Sequence, residues 1–297
     1  MTQGMCVMPA FAEWGDQVKR QEPLAPRTQL RLGGPAQYFL EPQSAEQLAL
    51  ALRRCHENKL PVRLLGAGTN LLVRDEGVPG AVLHLSQPCF AQVEVQGRCV
   101  RAGGGASLAA TLAAASQRSL AGMEALVGIP GTVGGALRCN AGSRAGSVHQ
   151  YLKRVEVVDR KGQIAAYAAE ESGPDLLAGD DLIVLAAEFE LDPDDADAIL
   201  KRMRKLWIHK KAHQPFSSQR AARIFQKPRN LDVEQMLEEA GVHDLRIGGA
   251  RLSERNLNYC VVEDGATARD VLILIDEVRK RVNERLGQHL LLYLTIW

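Results

Sequence analysis

The chain of 297 residues has almost no net charge, few aromatic residues and no paired cysteines. Its 36 Lys and Arg against 35 Asp and Glu leave a formal charge of +1. So close a balance supplies no basic field for nucleic acid or an anionic membrane, and no acidic solvating tail. Aromatics make up 5% of the chain, too few for the stacking platform of a single-strand binder. Cys6, Cys55, Cys89, Cys99, Cys139 and Cys260 contain no C-x-x-C pair. That excludes a zinc ribbon and a disulfide-dense scaffold, and it fits a reducing cytoplasm. No apolar run approaches the roughly 18 residues of a membrane helix, and the first twenty residues lack the basic start of a signal peptide. The longest run, residues 290–297, reads as a buried final strand. What is present, 46% apolar and 24% charged residues, is the composition of a globular protein. The expectation is a cytoplasmic monomer with a small-molecule ligand, no metal, no nucleic acid and no membrane partner.

Along the chain, strand and helix patterns mix. Residues 37–40, 61–65, 71–73, 81–85 and 182–191 read as strands. Hairpins are expected at 93–102, turning at Gln96-Gly97, and at 155–167, across Lys161-Gly162. Ser44 opens a helix, with Gln47 completing a capping box and Leu48, Leu50 and Leu52 behind it. Ser107 caps an alanine-rich helix. Residues 194–211 carry acids at the start and bases at the end, as a helix dipole favours. Helical patterns also cover 232–240 and 267–285. These signals divide the chain into a leader (1–30), two subdomains (31–85 and 86–207) and a C-terminal domain (208–297).

Two glycine segments stand out. Gly66-Ala67-Gly68-Thr69-Asn70-Leu71-Leu72 follows a strand, where small residues let backbone N–H groups converge on a pyrophosphate. It lacks the third glycine of a dinucleotide fingerprint and the Lys of a P-loop, so a plain tight turn is the competing reading. Gly128-Ile129-Pro130-Gly131-Thr132-Val133-Gly134-Gly135 runs on to Asn140 and Gly142 and is neither helix nor regular strand. With Gly103-Gly104-Gly105 these turns would line one cleft for an extended, dinucleotide-like cofactor.

Here a resemblance becomes specific. Arg31 to Ala36, the 66–73 loop with Asp75, and residues 128–142 resemble the three FAD-cradling motifs of the UDP-N-acetylenolpyruvoylglucosamine reductase family. Gly241, the segment from Leu245 through Arg246 and Gly248 to Ala250, Ser253 and Asn258 are similar to its last domain. The resemblance implies an α+β fold: an FAD-binding fold of the vanillyl-alcohol-oxidase type in two subdomains, plus a C-terminal substrate domain. It further implies FAD reduced by NADPH, and hydride transfer to an enolpyruvyl sugar nucleotide for peptidoglycan synthesis.

Three positions depart from the family pattern. That reaction needs a proton donor and a cation near the developing carbanion. Counting from Gln214-Pro215, Arg223 stands where the family has its serine, in Ala222-Arg223-Ile224-Phe225-Gln226-Lys227-Pro228. Ser217 and Ser218 are at the wrong spacing. The segment 170–177 lacks the family's Tyr-Arg, and Tyr293 aligns with its glutamate. Arginine stays protonated at working pH and is a very poor acid. The expectation is a flavin-binding protein with the reaction lost or altered. The alternatives are relocated catalytic groups (Arg223 and Tyr293, with Gln226 and Lys227 nearby) or a non-catalytic scaffold or regulator.

The remaining features read as structural. His209 and His213 are spaced as metal ligands but have no acid or cysteine beside them. Lys201, Arg202, Arg204, Lys205, Lys210 and Lys211 around Trp207 suit a solvated helix end. Met5, Met8, Phe11 and Trp14 suit a docked leader, and Glu238-Glu239 a helix surface.

Overall fold

Strand and helix periods alternate along the chain, and in the computed structural model they give a fold of the expected α+β class. The structure describes residues 11, 14, 15, 17–143, 145–215, 220–227 and 232–297. Met5, Met8, Ser217, Ser218 and Pro228 therefore lie outside the described residues. Two compact units form: residues 1–21, 37–67 and 79–207 in the first, and 22–36, 68–78 and 208–297 in the second.

The first unit contains two sheets. In one, β1 (Val18–Pro23), β2 (Pro35–Leu40), β3 (Val62–Leu65) and β5 (Val78–His84) lie in the order β1-β2-β5-β3. The interior strand β5 is apolar at most positions and buried along most of its length, as a strand covered on both faces must be. Helix α1 (Ala45–Glu57) packs here. Ser44 Oγ accepts from the Gln47 N–H. The expected capping box is only half formed, because the Gln47 side chain bonds the N–H of Gln43, one residue early. Leu48 and Leu52, four apart, are fully buried against Tyr38, Leu40 and Leu83. Phe11 and Trp14 join that cluster, with the Phe11 and Tyr38 rings 5.7 Å apart.

The other sheet is antiparallel. Strands β6 (Val93–Gln96), β7 (Cys99–Gly103), β11 (Leu152–Asp159), β12 (Ile164–Ala168) and β13 (Leu182–Glu190) take the order β12-β11-β13-β7-β6. Both expected hairpins are present. The first turns one residue later than expected, at Gly97-Arg98, because Gln96 pairs with Cys99. In the second, Asp159 Oδ1 accepts from the N–H groups of Lys161 and Gln163. Two ribbons, β8 (Leu120–Ala121) with β14 (Asp192–Pro193) and β9 (Gly142–Ser143) with β10 (Gly146–Ser147), flank α2 (Pro88–Ala91), α3 (Leu108–Gln117), α4 (Val133–Arg138) and α5 (Pro174–Ala178) in sequence. Ser107 stands at the start of α3, but its hydroxyl makes no cap bond; its backbone instead bridges Thr132. Helix α6 (Ala196–His213) begins two residues later than its acids suggest, because the Asp195 carboxylate caps the Ala198 N–H.

In the second unit, β15 (Ala221–Arg223), β16 (Arg246–Ile247), β17 (Ala250–Ser253) and β18 (Asn256–Val262) form an antiparallel sheet ordered β15-β18-β17-β16. Helices α7 (Val233–Glu239) and α8 (Ala268–Leu286) cover one face, burying Met236, Leu237, Val271, Ile275 and Val278 against Ala222, Cys260 and Val262. The end of the chain corrects the expectation of a buried strand over 290–297. Thr295–Ile296 (β19) pairs in parallel with β4 (Leu71–Leu72), and Leu292 adds a lone antiparallel bridge to Phe225. Before β19, the Ile224 carbonyl accepts from both Tyr293 and Leu294, which bends the chain, and Leu291 is left exposed.

Candidate functional site

Within the first unit the fold brings three glycine segments together. A Cβ on Gly66 would stand 2.9 Å from Thr132 Oγ1, and one on Gly134 would stand 2.9 Å from the Gly104 carbonyl oxygen. The Gly134 N–H donates to Gly104 O at 2.8 Å, and the Leu108 N–H donates to Gly131 O. Contrary to the expectation that this segment holds no helix, residues 133–138 form α4, because Thr132 caps it by accepting from the Gly135 N–H. Gly128 (φ +72°) and Gly131 (φ +134°) hold the loop in backbone conformations that favour glycine. Ile129 and Pro130 lie between them, and the Ile129 N–H donates to Leu126 O. Gly103, Gly104 and Gly105 are glycine for packing as well: a Cβ on each would fall 2.0–2.1 Å from the carbonyl oxygen of Phe90, Val184 and Leu85 respectively. Their N–H groups donate to Gln92, Leu185 and Phe90, so what they offer a ligand is close approach.

Asn140 sits at φ +41°, and its Oδ1 is 3.1 Å from His149 Nδ1. Burial lowers the His149 pKa and favours the neutral ring. With Nδ1–H as donor to the amide oxygen, Nε2 is a buried acceptor without a partner among the described residues. His149 carries no motif signal, and its link to Asn140 was not legible in the sequence. Gly142 is in β9, paired with Ser147.

The 66–72 loop passes from the first unit into the second at Ala67-Gly68. Gly68 has φ +63°, and a Cβ there would strike the Arg27 carbonyl oxygen at 2.2 Å. Thr69 follows it. The Asn70 side chain donates to the Tyr293 carbonyl at 2.9 Å, and Leu71 and Leu72 pair with β19. Arg31, exposed and at φ +53°, closes the turn 28–31. Asp75 accepts from the first two amides of α8, Ala268 and Arg269, at 3.0 Å each. Arg246 forms a two-pronged pair with Glu263 at 2.9 and 3.1 Å. Gly248 (φ +52°) makes room for the Asp270 carboxylate.

The same unit joins two of the departing positions. The Arg223 guanidinium lies 4.8 Å from the centroid of the Tyr293 ring. The strand β15 pairs with β18, where Arg223 lies opposite Tyr259, and the residues just after it, 224–226, bond the 291–294 segment. Gln226 donates its side-chain amide to Leu292 O, and Lys227 is exposed. Asn258, named by the resemblance, clamps the backbone of Phe225 through both amide atoms. Burial pushes up the Tyr259 hydroxyl, and burial together with Asp232 pushes up the Glu234 carboxyl. Neither Tyr259 nor Glu234 was marked by the sequence; cross-strand pairing with Arg223 places Tyr259 there.

Arg202 pairs with Glu124 and Asp194. Among the described residues, no group of three His, Cys, Asp or Glu is placed to hold a metal ion. The His213 ring bonds the His209 carbonyl. No described helix is long and apolar enough to cross a membrane.

Two matches fit this geometry. Residues 36–167 match the FAD binding domain family, and the close-packed backbone at Gly66, Gly104 and Gly134 suits a flat, extended cofactor. Residues 214–297 match the C-terminal domain of UDP-N-acetylenolpyruvoylglucosamine reductase. The combination defines a two-part flavoprotein of the reductase class. The UDP-N-acetylenolpyruvoylglucosamine reductase 2 of Symbiobacterium thermophilum is 38% identical over 94% of this chain and 92% of its own. The reductase of Carboxydothermus hydrogenoformans is 35% identical over 93% and 92%. A solved structure of the enzyme from Thermus caldophilus superposes with a TM-score of 0.78 at 31% identity, covering 94% of this chain and 98% of that one. The chain belongs to the UDP-N-acetylenolpyruvoylglucosamine reductase family.

Proposed function

We propose that this chain is an FAD-binding member of the family in which NADPH-dependent reduction of the enolpyruvyl sugar nucleotide is lost or altered. The observation that carries the reading is the Arg223–Tyr293 contact, which joins two of the three departing positions. Bound FAD would supply the hydride. Gly66, Thr132 and Gly131–Gly135 are the residues to hold it, with Gly103–Gly105, Asn140 and Gly142 shaping the same loops. What this chain would have to add is a proton and a cationic partner for the developing charge. Arg223 supplies the cation but no exchangeable acid at working pH. The guanidinium is in cation–π contact with the Tyr293 ring, and Lys227 is exposed. The segment 170–177, where the family arginine belongs, forms the short helix α5 with Ser172 and Leu177 buried.

The second reading is an active enzyme with relocated groups, and the same contact favours it. A phenol beside a fixed guanidinium is a proton donor next to a cation. An anaerobic titration of FAD-supplemented protein separates the two. NADPH should bleach the flavin band. A band that stays bleached when the enolpyruvyl sugar nucleotide is added supports loss; a band restored within a turnover time supports relocation. No flavin band at all would reject the cofactor reading.

A further inference from the structure

Arg223 presents five N–H donors in one plane, half-buried on β15. Its central carbon lies over the Tyr293 ring, 4.8 Å from the centroid, in cation–π contact. Among the described residues no carboxylate forms an ion pair with it. Tyr259, its cross-strand partner, presents a hydroxyl from the same face of the sheet. Among the described residues that hydroxyl has no hydrogen-bond partner, and burial keeps it protonated, a donor. Glu234, Asp232, Glu238 and His213 are the other titratable groups around this cluster, and among the described residues none forms an ion pair with Arg223. A half-buried cation with a free planar fork and a neighbouring phenol donor is the chemistry that receives a planar anion.

We propose that Arg223 and Tyr259, with the guanidinium oriented by Tyr293, form a carboxylate clamp that selects sugar nucleotides bearing an enolpyruvyl carboxylate over those without one. The clamp binds its ligand in the ground state and requires no reduction. It rests on the sugar-nucleotide reading above, and it adds the residues that discriminate within that class. Arginine is suited to this task where serine and glutamate are not: serine carries no charge, and glutamate would repel the ligand. Residues at the family's reaction positions thus become recognition residues.

The test is isothermal titration of the full-length, FAD-supplemented protein, in the oxidised state without NADPH. The two probes are UDP-N-acetylglucosamine and its enolpyruvyl ether; both carry the pyrophosphate, and only the second carries the carboxylate. The enolpyruvyl ether is expected to bind about tenfold more tightly or better, the scale of a charge-assisted hydrogen bond. Arg223→Gln should abolish that preference, the loss falling on the enolpyruvyl ether. Arg223→Lys should keep only part of it, because an ammonium lacks the planar fork. Tyr259→Phe should reduce the preference severalfold, with the melting temperature confirming the fold. Equal binding of the two probes, or a preference that survives Arg223→Gln, overturns the clamp while the sugar-nucleotide reading stands. Absence of binding by either probe to a flavin-loaded protein overturns both.

Discussion

The guanidinium carbon of Arg223 lies over the Tyr293 ring, 4.8 Å from its centroid, so a strand residue and a residue from the last bend of the chain meet in one cation–π contact. The contact needs both β15 and the doubled acceptor at Ile224, which turns residues 293 and 294 back toward the strand. Each of the two positions alone is an unremarked substitution. Where the resemblance places a serine and a glutamate, this chain has a cation–aromatic pair.

That replacement predicts a non-additive rescue. Restoring one family residue leaves the other mismatched, so Arg223→Ser or Tyr293→Glu alone should not raise sugar-nucleotide-dependent NADPH oxidation. The double variant should raise it by about tenfold or more, since one preorganised group is worth roughly a hundredfold. It should remain slow, because segment 170–177 still lacks the arginine. Steady-state rates for the four proteins settle it: a double variant no faster than wild type would show that these two positions do not limit turnover.

The glycines differ in what an added Cβ would meet, and substitutions should tell them apart. In Gly104→Ala the new Cβ would meet the Val184 carbonyl oxygen at 2.0 Å, a backbone atom that cannot move aside. A loss of about 3 kcal/mol of stability is expected. In Gly66→Ala the nearest atom is the Thr132 hydroxyl at 2.9 Å, which a side-chain rotation relieves at the loss of its cap on the Gly135 N–H, about 1 kcal/mol. The apo protein should melt within a few degrees of wild type, while the FAD dissociation constant rises about tenfold. Unchanged FAD affinity in Gly66→Ala would remove Gly66 from the cofactor contact.

Much of the fold was legible because local signals and packing agreed. The hairpin at Lys161-Gly162 carried its own turn chemistry in Asp159 and Gly162. The helix after Thr267 carried a true capping box. The final segment misled because apolar, β-rich composition does not reveal an acceptor already in use at Ile224. The glycine loops announced themselves, yet composition could not separate Gly104, fixed by a strand carbonyl, from Gly66, which faces a movable side chain. Tyr259 and His149 stayed hidden because each gains its role from a partner distant in sequence or from burial.

Glu41 predicts an acid-sensitive element in the first unit. Burial opposes its ionisation, but hydrogen bonds from His84, Ser86 and Lys19 outweigh that and hold its pKa down to about 2, from 4.5. A depressed carboxylate pKa means the unfolded state binds the proton more readily. The stabilisation is therefore present above pH 4.5 and is lost as pH falls from there toward 2. Glu41→Gln should lower the melting temperature at pH 7 and flatten its dependence across that window. An equally steep acid limb in the variant would place the sensitivity elsewhere.

Asp75 belongs to a segment that resembles a cofactor motif, yet its two carboxylate oxygens accept from the Ala268 and Arg269 amides at the start of α8. Thr267 satisfies the next amide, at Asp270, so two side chains cap one helix end. A carboxylate there also faces the positive end of the helix dipole. Asp75→Ala should cost about 1–2 kcal/mol of stability, as loss of a cap does, and Asp75→Asn should cost less, because an amide oxygen still accepts. Added salt should narrow the gap between wild type and Asp75→Asn, the part that is charge. If capping is its role, the FAD dissociation constant of Asp75→Ala should match wild type at temperatures where both are folded. A weakened FAD affinity with an unchanged melting temperature would reverse the assignment and make Asp75 a cofactor residue first.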